Sequence, residues 1–225
     1  MQASLQERDI AITGMAALFP GAGDLSEYWN NIANGVDAIE PVPPERWLRG
    51  ASELDDTLLE LPQCRRGGFV SPIHVDPIIF GIAPNDLGYI EPDQLIALKL
   101  ATDALTDAGF PHQRTDSDRI GVILGRGGYL APGTARYEQK IRGSQQIVHT
   151  LRMLAPNLSS ATLEQIRKAF VSELGHSPGG SVIGLVPNLA ASRIANRLNL
   201  HGPAYTVDAA CASSLLAIDQ AIRLL

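Results

Sequence analysis

The sequence predicts an α/β fold. Two short β-branched runs, Ile120-Gly-Val-Ile-Leu124 and Ala204-Tyr-Thr-Val207, each end in small residues, and such runs bounded by turn signals read as buried strands. Around them stand segments with helix start and stop signals, the plainest running from Pro92 to Ala108. No internal repeat, low-complexity tract or linker interrupts the 225 residues, so 1–225 is taken as one α/β unit.

In chain order, Ile10-Ala-Ile-Thr13 is expected to form a short buried strand closed by Gly14, with Phe19-Pro-Gly-Ala-Gly23 as the loop after it. Asp24 then caps a helix. Glu27 sits three residues on as its capping-box partner, Tyr28, Trp29 and Ile32 supply apolar positions, and Gly35 is the stop. Residues 36–90 carry many prolines and the RRGGF element at 65–69, the pattern of a long surface connection with short strands and turns. Pro92 suits the first turn of the next helix, which carries Leu95, Ile96, Leu98, Ala101, Ala104, Leu105 and Ala108 and ends before Gly109.

The strand at 120–124 leads into Gly125-Arg-Gly-Gly128. That run is read as a turn, because a dinucleotide loop needs a third glycine at the right spacing and an acidic residue downstream, and both are missing. From 134 to 174 the pattern is polar and helical, with Thr162 and Gln165 spaced as a capping box and Gly175 as the stop. This stretch is read as a solvated insertion rather than as a substrate entrance or dimer surface. Gly179, Gly180 and Gly184 precede Pro187, expected in the first turn of a helix containing Leu189, Ile194 and Leu198. His201-Gly-Pro203 turns the chain into the strand at 204–207.

Composition narrows the function. With 45% hydrophobic and 19% charged residues the chain can bury a core. A net charge of −6 with scattered Lys and Arg gives no footprint for nucleic acid or an anionic membrane. The start MQASLQERDIAITG has neither the basic flank nor the apolar core of a secretory signal, and no apolar run is long enough to span a bilayer. The cytoplasm is therefore expected, with Cys64 and Cys211 reduced. His74, His112, His149, His176 and His201 share no ligand spacing, so no metal is assigned, nor is any cofactor-binding residue.

The chemistry concentrates in Val207-Asp-Ala-Ala-Cys-Ala-Ser-Ser-Leu-Leu-Ala-Ile-Asp219. A strand, a turn of small residues and a helix is the layout that presents a nucleophile at a helix start. Ala209, Ala210, Ala212, Ser213 and Ser214 leave room for a substrate near Cys211. Behind it, Leu215, Leu216, Ala217, Ile218, Ala221, Ile222 and Leu224 cover nearly all sides, so the helix is expected to be buried. A helix dipole contributes roughly 0.3–1 kcal/mol, less than the ~1.4 kcal/mol that one pKa unit represents. A base or second polarising group is needed, yet no histidine or lysine follows Cys211. On spacing alone, a small buried cysteine without a role competes evenly with a nucleophile. Cys64, a loop cysteine beside Arg65 and Arg66, is read as incidental.

Several stations occur together in order: DIAITGMAALFPGAGDLSEYWNNIANGVDAI, RRGGFVSPIHVDPIIFGIAP, IEPDQLIALKLATDALTDAG and NLAASRIANRLNLHGPAYTVDAACASSLLAI. They resemble the β-ketoacyl synthases, and within them the ketosynthase domains of polyketide synthases and multidomain fatty-acid synthases. The resemblance implies a thiolase-like fold, αβαβα in layers, of which this chain supplies the N-terminal half only. It implies that Cys211 takes an acyl group from the phosphopantetheine thioester of an acyl carrier protein. Decarboxylative condensation with a malonyl unit then follows, in polyketide or fatty-acid biosynthesis. It also implies a homodimer, and places Asn188 and Arg193 where they order the backbone and the subunit interface.

The family's two histidines, a nearby lysine and the glycine-rich loop with a second oxyanion donor belong to the C-terminal half, which these residues do not contain. Cys211 alone is carried over as catalytic. Ala209 stands where the family usually has Thr, and Ala212 where modular polyketide synthases mostly have Ser; with GMAALFP these departures lean toward polyunsaturated-fatty-acid or iterative lipid-type synthases. Two readings compete with an acyltransferase of the 3-oxoacyl-carrier synthase type. One is a condensing enzyme acting on coenzyme A esters, against which the RGGF and DPQQ-like segments argue. The other is a non-catalytic chain that only dimerises or binds a carrier.

Overall fold

The computed structural model describes residues 9–46, 64–110, 117–128, 131–175 and 185–225. They sort into two compact units. One comprises described residues of 1–10, 75–99 and 112–225, the other those of 11–74 and 100–111.

In the second of these units, helix α1 spans Leu25–Ala33. Its N-cap is Asp24 as predicted: Oδ1 accepts the Glu27 N–H at 2.8 Å. The reciprocal bond reaches one residue further back, with Glu27 Oε2 accepting the Gly23 N–H at 2.7 Å. α1 buries no residue, and Trp29 remains 67% exposed. Strands β1 (Ile39–Pro41) and β2 (Arg66–Gly68) pair antiparallel, so the RRGGF element supplies one of the short strands expected in 36–90. Residues 47–63 of that connection lie outside the described residues.

The strand expected at 10–13 does not form. These residues find no ladder partner among the described residues, and Ile12 is 80% exposed. An apolar run becomes a strand only where another strand takes its N–H and C=O groups. The chain docks instead just beyond it. A Cβ on Gly14 would meet the Ala104 carbonyl and Ala108, and the Met15 N–H donates to Asp107 Oδ2 at 2.9 Å.

Helix α2 spans Pro92–Asp107, with Pro92 at its start and Leu98 and Gln94 wholly buried. In the larger unit, β3 (Val122–Gly125) pairs in parallel with β4 (Ala204–Val207), Gly125 standing opposite Val207. The strand predicted at 120–124 thus begins two residues later. Both strands are only half-buried along their length, so the expectation that they are buried is not met. The crossover between them holds α3 (Pro132–Glu138), a π-helical turn (Gln139–Gly143), α4 (Ser144–Leu154), α5 (Ser160–Glu173) and α6 (Leu189–Arg197). The buried Ser144 Oγ donates to the Lys140 carbonyl at 2.6 Å, giving the π-helical turn a side-chain tie.

Two capping expectations are corrected. α5 starts three residues early, because Ser159 rather than Thr162 is the N-cap and accepts the Thr162 N–H at 3.1 Å. α6 starts at Leu189, two residues past Pro187, which therefore lies before the helix. Gly179, Gly180 and Gly184 lie outside the described residues. The three glycine stops are observed, with φ of 62° at Gly35, 74° at Gly109 and 76° at Gly175. The core of the unit gathers on α6, where Ala190, Ala191, Ile194 and Ala195 are buried and the helix packs against β3 and β4.

Helix α7 (Ser213–Leu224) lies against β3 but is not buried as predicted. Ser213 and Ala217 face inward, whereas Leu215 is 73%, Ile218 57% and Ile222 47% exposed. Small side chains allow close approach to the strands, and the large ones are left on the open face. Among the described residues no helix is long and apolar enough to cross a membrane.

Candidate active site

β3 and β4 run parallel, so their C-terminal ends open on the same side, where α/β sheets place their sites. β3 continues into Arg126-Gly-Gly128 and β4 into Asp208-Ala-Ala-Cys211. The Arg126 N–H still donates to the Val207 carbonyl at 3.0 Å, and its side chain is ion-paired with Asp93 at the start of α2. Gly125 lets the helix after the cysteine close in. A Cβ there would lie 2.7 Å from the Ser213 carbonyl carbon and oxygen and 2.8 Å from the Ser214 nitrogen.

The turn is held by short polar links. Residues 210–212 form a 3₁₀ turn that runs into α7, and Cys211 is its central residue. Ala210 has φ 49°, a left-handed conformation that costs a residue with a Cβ roughly 1–2 kcal/mol. Asp208 Oδ1 accepts the Ala210 N–H at 3.0 Å, while Oδ2 accepts the Gly128 N–H at 2.8 Å. The buried Ser213 Oγ accepts the Ala209 N–H and donates to the Ala210 carbonyl, both at 2.8 Å. The Ala212 N–H goes to Ala209 and that of Ser213 to Ala210. Among the described residues nothing takes the Cys211 N–H.

Cys211 is a free, exposed thiol one residue before the N-cap of a twelve-residue helix, as the layout predicted. Cys64 is also free and exposed, its Sγ 3.3 Å from the Arg66 carbonyl. The polarising base is missing from the turn: no histidine hydrogen-bonds Cys211 among the described residues. His201 is engaged with Asp118 at 2.7 Å and Asn199 at 3.2 Å. Among the described residues no group of three or more His, Cys, Asp or Glu is placed to hold a metal ion.

Arg193 lies inside the unit rather than at the thiol. Its Nε donates to the buried Gln94 at 3.1 Å, tying α6 to α2. Burial, and next the nearby Arg197, pull its guanidinium below the ordinary arginine value, with Asp86 opposing. Asn188 is the N-cap of α6 without a side-chain capping bond.

Sequence reasoning missed the bonding and packing roles of three residues that shape the site: Asp208, Ser213 and Gly125. The available signal was an acidic residue and a serine flanking a turn of alanines, and a glycine closing the neighbouring strand. The Ala210 N–H, then that of Gly128, hold the Asp208 carboxyl below its usual range. A carboxyl depressed on folding contributes stability above its unfolded pKa and loses it as pH falls through the folded value. The urea midpoint of wild type minus that of Asp208→Asn is therefore expected to be constant near neutrality. It should shrink as pH drops below the ordinary carboxylate range.

Residues 7–225 match the family model described as the beta-ketoacyl synthase N-terminal domain. The chain is 30% identical over 226 residues to the polyketide synthase PksN of Bacillus subtilis, covering 99% of this chain and 3% of that protein. It is 31% identical over 218 residues to a phenolphthiocerol/phthiocerol polyketide synthase of Mycobacterium bovis, 95% of this chain and 10% of the relative. Among solved structures it is similar to the ketosynthase from module 6 of the bacillaene synthase of Bacillus subtilis. There the TM-score is 0.61 at 27% identity, over 96% of this chain and 29% of that one. The PfaC keto synthase–chain length factor shares the fold, with a TM-score of 0.71 at 21% identity over 95% of this chain and 22% of its own. The chain thus spans a small part of the relatives it matches.

Proposed function

The chain belongs to the β-ketoacyl synthase family through its N-terminal domain, and from that premise we propose that Cys211 is the acyl acceptor of a ketosynthase. The thiolate attacks the carbonyl carbon of an acyl thioester carried on the phosphopantetheine of an acyl carrier protein. A carbon–sulfur bond forms to Cys211, and the tetrahedral oxyanion collapses with loss of the carrier thiolate, which takes up a proton. The untaken Cys211 N–H is one donor to that oxyanion. The observation that carries this reading is an exposed thiol in a turn whose other N–H groups are committed, at the start of α7.

Decarboxylative condensation with a malonyl unit, extending the chain by two carbons, needs groups beyond these residues. The thiolase-like architecture supplies them from a second half, and ketosynthases work as homodimers. Residues 1–225 alone are therefore read as competent at most for acyl transfer, with the carrier protein as partner and no bound cofactor of their own. The competing reading is a non-catalytic chain that dimerises or binds a carrier.

Intact-protein mass spectrometry after incubation with an acyl-carrier thioester separates these. An adduct of one acyl group is expected on wild type and none on Cys211→Ala. Absence of a Cys211-dependent adduct from residues 1–225 and from a longer chain extended through the second half would leave the non-catalytic reading.

A further inference from the structure

Asp208 stands where the two parallel strands release their loops. Gly125 and Val207 are register partners, and the carboxylate just past Val207 divides its oxygens between the segments that follow. Oδ2 accepts the Gly128 N–H at 2.8 Å, and Oδ1 accepts the Ala210 N–H at 3.0 Å. The first segment is fixed at its other end, where Arg126 pairs with Asp93 and its N–H bonds to Val207. The second contains Ala210, whose φ of 49° immediately precedes Cys211.

A carboxylate beside a thiol does nothing to promote thiolate, since like charge disfavours it. An anionic residue at this point is therefore unsuited to activating sulfur. What its two acceptors supply is backbone geometry: one bond to the residue whose conformation aims Cys211, another to the loop leaving the adjacent strand.

We propose that Asp208 is a positioning residue for acyl transfer, clamping the left-handed Ala210 to the 126–128 loop so that Cys211 meets the thioester carbonyl in line. The proposal rests on the reading of Cys211 as acyl acceptor. It separates two properties of the thiol. Reaction with a small, undirected electrophile needs only exposure and charge, whereas transfer from a bulky carrier thioester needs the sulfur and the Cys211 N–H held in register.

The test compares wild type, Asp208→Asn, Asp208→Ala and the double variant Asp208→Asn/Ala210→Gly in the longest native chain that carries residues 1–225. Circular dichroism and melting are measured alongside two rates. These are acylation of Cys211 from an acyl-carrier thioester and alkylation of Cys211 by iodoacetamide, each read by mass spectrometry. In a folded Asp208 variant, acylation is expected to fall roughly 10²-fold, the scale of an ångström misplacement, with alkylation no slower than wild type. The double variant should regain at least about tenfold, because glycine adopts positive φ without the clamp.

Acylation within about threefold of wild type in a folded Asp208 variant would overturn the proposal. So would a parallel loss of alkylation, which would make Asp208 a residue of thiol activation or access. Failure of both single variants to fold, or of Ala210→Gly to restore transfer, would reduce it to a structural residue. Wild type that takes no acyl group at Cys211 would remove the acyl-acceptor reading and the proposal together, whereas an acylated wild type with an unimpaired Asp208 variant removes the proposal alone.

Discussion

Gly125→Ala is expected to lower acylation of Cys211 by roughly 10²-fold and to cost about 1–3 kcal/mol of stability, the usual penalty when a packed site must shift to admit a methyl group. The new Cβ would lie 2.7 Å from the Ser213 carbonyl group and 2.8 Å from the Ser214 nitrogen. These are backbone atoms of the first turn of α7, so no rotamer change relieves the clash and the helix start must retreat. Ser213 carries the bonds to Ala209 and Ala210, and moving it disturbs both sides of Cys211. The single-turnover acylation rate and the urea midpoint check this directly. A folded Gly125→Ala chain that acylates within about threefold of wild type would show that α7 need not touch the strand end for transfer.

The parts of the fold legible in the sequence were those set by local chemistry. Asp24 and Glu27 make an N-terminus wherever they fall, Pro92 opens a helix, and Gly35, Gly109 and Gly175 end helices because they alone take positive φ cheaply. Ala204–Val207 was found to the residue because turn signals bound it on both sides. The misses depended on partners. Ile10–Thr13 has strand composition but no neighbour to ladder with among the described residues, and the apolar composition of α7 predicts burial whereas its large side chains lie on its open face.

At the candidate site, the place of Cys211 just before α7 was legible because a strand, a turn of small residues and an apolar run follow one another in the sequence. Asp208, Ser213 and Gly125 were not, since their roles lie in bonds and contacts between segments as far apart as residues 128 and 208. No periodicity carries that information.

The open face of α7 leads to the second large effect. Leu215, Ile218, Ile222 and Leu225 fall at helical spacing and are 73%, 57%, 47% and 73% exposed. A side chain of this kind contributes about 1.5–3 kcal/mol when removed from water, and a contiguous apolar stripe on a soluble chain signals a covering surface. In a thiolase-like body that cover would come from the second half or the partner subunit. Residues 1–225 by themselves are accordingly expected to elute from size exclusion as concentration-dependent assemblies. Leu215→Glu/Ile218→Glu should disperse them to monomer while leaving helix content intact, because both positions point away from β3. In a chain extended through the second half the same pair should have the opposite consequence, placing two unpaired charges in a closed interface and unfolding or dissociating it. A compact wild-type monomer at high concentration, or an extended double variant as stable as its parent, would show that this face stays open in the working protein.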